Sequence, residues 1–202
     1  MSPSPIIEPQ KKKRGANYGV ALRLATTAAA GILMLTLIGL RLAGLIRPFK
    51  VPTGAMSPAI TPGDHFMMER FSYVGGAPKR GDVVVFRTDN IQGVPEPTIY
   101  VKRLVGLPGD TLRISGGKLF VNGQHLSLSN SAGAIQYVHG RFANLLTTDN
   151  ESVTVPDVHY FVMGDNSGNS ADSRYWGFLP AKNVLGRASF SYWPPDRMGR
   201  VK

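Results

Sequence analysis

Few residues in this chain have the type and spacing to do chemistry. None of the 202 residues is cysteine, so thiol catalysis, thiolate zinc sites and disulfide frameworks are excluded. The four histidines, His65, His125, His139 and His159, lack the spacing of a metal site. There is no phosphate-binding loop and no glycine-rich dinucleotide fingerprint, so neither a metal nor a cofactor is expected. Three segments remain. The first is Val51-Pro52-Thr53-Gly54-Ala55-Met56-Ser57-Pro58. The second runs Tyr100-Val101-Lys102-Arg103-Leu104-Val105-Gly106-Leu107-Pro108-Gly109-Asp110. The third is Gly164-Asp165-Asn166-Ser167-Gly168-Asn169-Ser170-Ala171-Asp172-Ser173-Arg174-Tyr175-Trp176-Gly177. On a strand, Lys102 shares a face with Tyr100 and Leu104 while Arg103 points the other way. Apolar surroundings disfavour the ammonium, lower its pKa and turn the amine into a base. Taken singly, these residues are ordinary. A strand lysine snorkels to water, Ser170 is a turn serine and Thr53 a β-branched strand residue. The charges Arg103, Asp165, Asp172 and Arg174, taken alone, make surface pairs worth less than about 1 kcal/mol.

The elements that must position these segments are mostly strands. With 23 glycines and 15 prolines the composition suits many short strands and turns better than a helical bundle. From residue 49 the pattern has period two. Strands are predicted at Phe49–Thr53, His65–Tyr73, Asp82–Arg87, Thr98–Val105, Thr111–Ile114, Lys118–Val121, Val158–Met163 and Asn183–Tyr192. Turn signals separate them, among them Pro62-Gly63-Asp64, Pro108-Gly109-Asp110, Gly116-Gly117 and Asn122-Gly123, with Gly116-Gly117 read as a tight hairpin. No long amphipathic helix follows residue 50. The expected fold class is mostly β, an antiparallel domain of half-barrel or sandwich type after one N-terminal transmembrane helix. Residues 124–152, rich in Ser, Asn and Gly, read as an insertion on the sheet edge. Met56, Ile60, Phe66, Met67 and Phe71 read equally well as core or as a membrane-contacting surface.

The net charge of +10 invites a nucleic-acid reading, but its distribution opposes one. Residues 1–50 carry +7 and residues 51–202 only +3, with signs interspersed as on an ordinary solvated surface. The excess flanks an uncharged run of 17 residues, Leu24 to Leu40. As a helix this run is about 25 Å long, against a hydrocarbon core of about 30 Å. Tyr18 and the arms of Arg23 and Arg41 extend it. A buried core helix would need a polar face, and a cleaved secretory signal would end in a small-residue site rather than in Arg41 and Arg47. The organisation expected is a basic cytoplasmic tail over 1–17, an anchor over 18–46 and an extracytoplasmic β domain over 47–202, with Pro48 ending the helix. Five basic residues precede the span and three follow it, which favours an N-terminus in the cytoplasm of a single-pass cell-membrane protein.

Over residues 47–193 the chain resembles the type I signal peptidases, membrane-bound serine proteases with a Ser/Lys dyad. The resemblance rests on K-R-x-x-G-x-P-G-D from Lys102 and on G-D-N-S-x-x-S-x-D-S-R from Gly164. It implies that Lys102 is the general base, that Ser170 orients its amine and that the Thr53 hydroxyl helps bind the oxyanion. It also implies that Met56 and Tyr100 contact substrate, and that Arg103, Asp165, Asp172 and Arg174 form ion pairs fixing the Ser170 loop to the Lys102 strand. The implied substrates are signal peptides of exported preproteins with small residues at the first and third positions before the cut. The first segment departs from the family pattern S/T-x-S-M-x-P, because the nucleophile position is Ala55. Three explanations stand: an engineered Ser→Ala form, a natural pseudoprotease, or Thr53 or Ser57 acting instead. The third requires a shift of roughly 7 Å along a strand, where attack geometry tolerates about 1 Å. A membrane-anchored protein that grips signal peptides without cutting is the rival from another class. A self-cleaving repressor shares the Ser/Lys chemistry but is disfavoured by the anchor and the missing DNA-binding helices. Protease added outside spheroplasts should digest residues 48–202, and protection of that region with a digestible N-terminus would contradict the orientation.

Overall fold

The computed structural model of the chain describes residues 15–95 and 98–202. The basic cluster Lys11 to Arg14 and the rest of the tail before residue 15 lie outside the described residues. Helix α1, Gly15–Leu42, has 28 residues, and its stretch Tyr18–Leu42 has a mean hydropathy of 1.8, long and apolar enough to cross a membrane. Its threonines do not spoil that surface: Thr27 and Thr36 bond to the carbonyls of Arg23 and Ile32 one turn back, at 3.0 and 2.8 Å. The helix ends where Gly44 takes a left-handed φ of 68°, a terminator that needs no Cβ. Pro48, expected to stop the helix, lies instead in the first strand. Ile46, assigned to the anchor, opens that strand.

The β domain, from Gly44 onward, contains β1 (Ile46–Lys50), β2 (His65–Glu69), β3 (Val83–Arg87), β4 (Ile99–Gly106), β5 (Thr111–Ser115), β6 (Lys118–Val121) and β7 (Gln124–Leu126). These are followed by β8 (Ser129–Asn130), β9 (Gly133–Ala134), β10 (Ser152–Thr154), β11 (His159–Met163), β12 (Leu179–Pro180), β13 (Val184–Trp193) and β14 (Gly199–Arg200), with a one-turn helix α2, Ser173–Trp176. The main sheet is antiparallel throughout, in the order β1-β2-β13-β3-β4-β11-β12, with β14 added to β13. A second sheet runs β10-β5-β6-β7, and β8-β9 make a small hairpin.

Strand β3, central in the main sheet, is buried on both faces, which is why it reads as a continuous run, Val83-Val84-Val85-Phe86. Val83 and Val85 join one cluster with Val51, Met56, Ile60, Phe66 and Met68. Val84 and Phe86 join another with Leu104, Tyr160, Val162 and Leu179. Ile60 and Phe66 are thus core, Met67 is half-buried and Phe71 is exposed. The second sheet closes on a third cluster that includes Leu112, Ile114, Leu119 and Phe161. Its two hairpins turn at Gly116-Gly117 and Asn122-Gly123, all four residues at positive φ, the geometry whose twist matches paired strands.

Three expectations shift in the β domain. The strand read over His65–Tyr73 stops at Glu69, and Phe71–Tyr73 form a single tight helical turn instead. The first strand ends at Lys50, so Thr53 lies beyond it in an irregular segment spanning 51–60. That segment is fastened by Val51 N–H to the Asp64 carbonyl at 2.9 Å and by Gly63 N–H to the Val51 carbonyl at 2.8 Å. Residues 124–152 are not an appendage on the edge of the main sheet. They supply β7 to the second sheet, and Tyr137 and Leu146 are fully buried in its core. Polarity on its solvated side conceals those two anchors. The two sheets meet closely at Gly106, where a Cβ would stand 2.8 Å from Leu112 Cδ1 and 2.9 Å from both Phe161 Cβ and Val155 Cγ2. Gly106→Ala should overpack this contact at a cost of about 1–3 kcal/mol. At roughly 2–4 °C per kcal/mol, a thermal melt should show a drop of several degrees; an unchanged melt would contradict the packing.

Candidate active site

The candidate site is a cleft of about 430 Å³ between two stretches of chain, residues 51–55 on one wall and 98–102 on the other, closed by Asn169 and Ala171. Strand β4 forms the second wall because it is only half covered. It pairs with β3 from Ile99 to Arg103, while β11 pairs with it only from Arg103 to Gly106. Among the described residues, no strand pairs with the other edge of residues 99–102, which lies beside the cleft.

Lys102 lies opposite Val84 in the β3–β4 register, with Phe86 opposite Tyr100. Its neighbours on that face are apolar, and it is 5% exposed. Its amine sits over the Tyr100 ring, 5.5 Å from the centroid. Burial holds its pKa below the usual lysine value; Asp172 pushes it up and Arg174 pulls it down. Asp172 is itself engaged by Arg174, whose charge opposes part of its pull on Lys102. Arg174 Nε and Nη2 donate to its two oxygens, each at 2.8 Å, and both side chains are at 0% exposure. The Gly164 N–H donates to Asp172 as well, at 3.0 Å.

Arg103, on the opposite side of β4, makes the second buried pair. Its Nε and Nη2 each donate to Asp165 at 2.6 Å, and further bonds reach the carbonyls of Gly81 at 2.8 Å and Lys202 at 2.6 Å. The loop from Gly164 to Arg174 is thereby held at both ends, and the segment 124–152 braces it from behind. Val138 N–H donates to Ser167 Oγ at 3.0 Å, and the Val138 carbonyl accepts from Arg174.

Each candidate residue can now be placed. Ala55 is buried and lines the cleft; its side chain is a methyl group, with no hydroxyl to offer. Among the described residues no acceptor takes the Ala55 N–H. Thr53 is exposed and lines the cleft, and Tyr100 is half-buried and lines it. Ser170 Oγ is buried and, among the described residues, has no hydrogen-bond partner. Met56, implied as a substrate contact, is 1% exposed within a core cluster and does not line the cleft. The turn after Ala55, with Ile60 N–H bonded to the Met56 carbonyl at 3.0 Å, carries that side chain inward. Ser57 is half-buried in the same turn, off the cleft wall.

Sequence reasoning missed two residues that join the loop to residues 54 and 55. Asn166 donates to both carbonyls, from Nδ2 to Gly54 O and from its N–H to Ala55 O, each at 3.1 Å. Gly164 lies so close that a Cβ there would stand 2.5 Å from the Ala55 carbonyl and closer still to Ser170 Oγ. Both lie inside the third motif, but nothing in its letters says that their partners are more than a hundred residues away. Among the described residues no group of three or more His, Asp or Glu side chains could hold a metal ion.

A dry amine, a free backbone N–H and an unpaired strand edge around one cleft are the parts of a peptide-hydrolysing site. A family model for signal peptidase, peptidase S26, matches residues 24–193. The chain belongs to this family of serine endopeptidases. A probable signal peptidase I-2 of Synechocystis sp. is 34% identical over 200 residues, covering 98% of this chain and 85% of that protein. A probable signal peptidase I-1 of the same organism is 35% identical over 175 residues, covering 83% and 84%. The signal peptidase I of Pseudomonas aeruginosa is 34% identical over 200 residues, covering 78% and 69%.

The buried pair sets a testable cost. Arg174→Leu should leave Asp172 charged and unmatched, lowering stability by about 3–5 kcal/mol. Arg174→Lys should recover little of that loss, because an ammonium cannot span both carboxylate oxygens. Denaturant melts of the three proteins measure it, and equal midpoints would remove the pair from the account of the loop.

Proposed function

We propose that this chain is a membrane-anchored signal peptidase that binds signal peptides in the cleft between residues 51–55 and 98–102 and, with Ala55 at the nucleophile position, does not cut them. One observation carries the reading. The buried Lys102 amine opens on the cleft that Ala55 lines, so a base is present and the hydroxyl it would serve is absent. The free edge of β4 supports the binding half, since an extended peptide adds to such an edge through its main chain. Apolar walls and small residues such as Ala171 suit small side chains before the scissile bond. Helix α1 supports anchoring in a cell membrane, with the charge bias favouring a cytoplasmic N-terminus.

With serine at position 55 the chemistry completes. The serine oxygen attacks the scissile carbonyl carbon as its proton passes to the neutral Lys102 amine. The developing oxyanion accepts from the residue-55 N–H and the Thr53 hydroxyl. The Lys102 ammonium gives its proton to the departing amine, and water then cleaves the acyl ester with Lys102 again as base. The buried Ser170 hydroxyl, unpartnered among the described residues, is left to hold the amine toward the cleft through a bond that the structure as it stands does not make, and the Arg103–Asp165 and Arg174–Asp172 pairs hold the loop that carries it.

A mass-spectrometric assay on a peptide with an Ala-x-Ala motif tests this. The chain as it stands should bind without detectable cleavage, and Ala55→Ser should cleave after the motif, a gain on the order of 10⁶-fold. Equal cleavage by both forms would overturn the assignment of position 55 and direct attention to Thr53→Val. In the Ala55→Ser form cleavage should rise with pH through the lowered Lys102 pKa, because only the neutral amine accepts a proton. Lys102→Met should abolish it; an unchanged rate would remove Lys102 from the mechanism.

A further inference from the structure

We infer that Asn166 is a positioning residue that aims the residue-55 amide into the cleft. This rests on the reading above, in which that amide binds the oxyanion. The Gly54 carbonyl and the Ala55 N–H belong to one planar peptide unit. Among the described residues the cis bonds are Ser57–Pro58 and Trp193–Pro194, so this unit is trans and its C=O and N–H point in opposite directions. Whatever grips Gly54 O therefore sets where the Ala55 N–H points. Asn166 Nδ2 grips it at 3.1 Å from across the fold. The Asn166 N–H takes the next carbonyl, Ala55 O, also at 3.1 Å. Both carbonyls are thus turned toward the loop, and the intervening N–H is left without an acceptor among the described residues.

Ser57 N–H also donates to Gly54 O, at 3.1 Å, but that bond lies within the turn and rotates with it. Asn166 is the external reference. Its own placement is rigid, because Asp165 before it is held by Arg103 and Ser167 after it bonds Arg174 and Val138. Gly164 allows the loop to approach closely enough for both bonds. Without the side-chain amide the 54–55 peptide plane can rotate, and the N–H leaves the cleft while the loop stays in place.

The experiment compares Asn166→Asp and Asn166→Ser, each in the Ala55→Ser chain, with that chain as parent. Aspartate is isosteric but presents an anionic oxygen to the Gly54 carbonyl. Its kcat should fall on the order of 10²-fold, with KM within about twofold and the Lys102-governed pH midpoint unmoved. The gap should narrow toward acid pH, where the protonated carboxyl donates again. Serine keeps the backbone bond and should lower kcat about tenfold. An unchanged kcat, or a loss confined to KM, would overturn the inference. If aspartate fails to fold in a thermal melt, the serine variant decides; loss of fold in both would make Asn166 a structural residue and overturn the inference too. If the Ala55→Ser parent itself does not cleave, the functional reading fails separately. Asn166 is then judged in the unaltered chain: Asn166→Ser should shift the Ala55 amide resonance, and an unmoved resonance would overturn it.

Discussion

The bidentate contact between Arg174 and Asp172 is the interaction from which the rest of the site follows. A carboxylate at zero exposure near a lysine would ordinarily hold that lysine as an ammonium. Here the guanidinium occupies both carboxylate oxygens, so its charge opposes part of the attraction, and burial, the largest influence, holds the Lys102 pKa below its usual value. The same pair shapes the backbone. Asp172 caps the one-turn helix α2 and accepts from Gly164 N–H, while Arg174 reaches the carbonyls of Ser167 and Val138. One buried ion pair thus sets the local electrostatics and the path of a loop. Within the eleven residues from Gly164 to Arg174, the side chains of Asp165, Asn166, Ser167, Asp172 and Arg174 each hold a partner, and Gly164 leaves the gap for a close approach.

The second pair, Arg103 with Asp165, does comparable work on the other face of β4. Adjacent residues of one strand are used in opposite senses. Lys102 is kept free of direct carboxylate contact among the described residues, whereas Arg103 is saturated with acceptors. The alternation of a β-strand makes that possible, since neighbouring side chains belong to different environments.

The strands were legible because their apolar runs and turn residues are local signals. Lys118–Val121 falls where its pattern places it, and Gly116-Gly117 forms the expected hairpin. Lys102 and Ser170 were legible as parts of long motifs, and Lys102 also as a lysine in an apolar strand. Thr53 was misplaced because a run of apolar and β-branched residues continues past the point where pairing stops. For Met56 the core reading stands and the substrate contact does not, because its side chain turns inward while Thr53 and Ala55 line the cleft. The segment 124–152 was undervalued because two fully buried residues, Tyr137 and Leu146, are too sparse to register as a period. Asn166 was invisible for a different reason. Its role is a relation to Gly54 and Ala55 across 112 residues, and only the folded chain expresses it.

The outer strand of the main sheet has a bearing on how copies of this protein share a bilayer. Proteins confined to a membrane meet one another repeatedly in two dimensions, and an open sheet edge is a template for unwanted pairing. Strand β1 presents such an edge, but Pro48 withholds a donor from it, and the exposed Arg47 and Lys50 bring like charges together in any edge-to-edge encounter. The proline that does not end the helix thus makes this outer edge a poor template for another strand. On the reading proposed above, β4 can stay open to an extended peptide while β1 discourages pairing with another sheet.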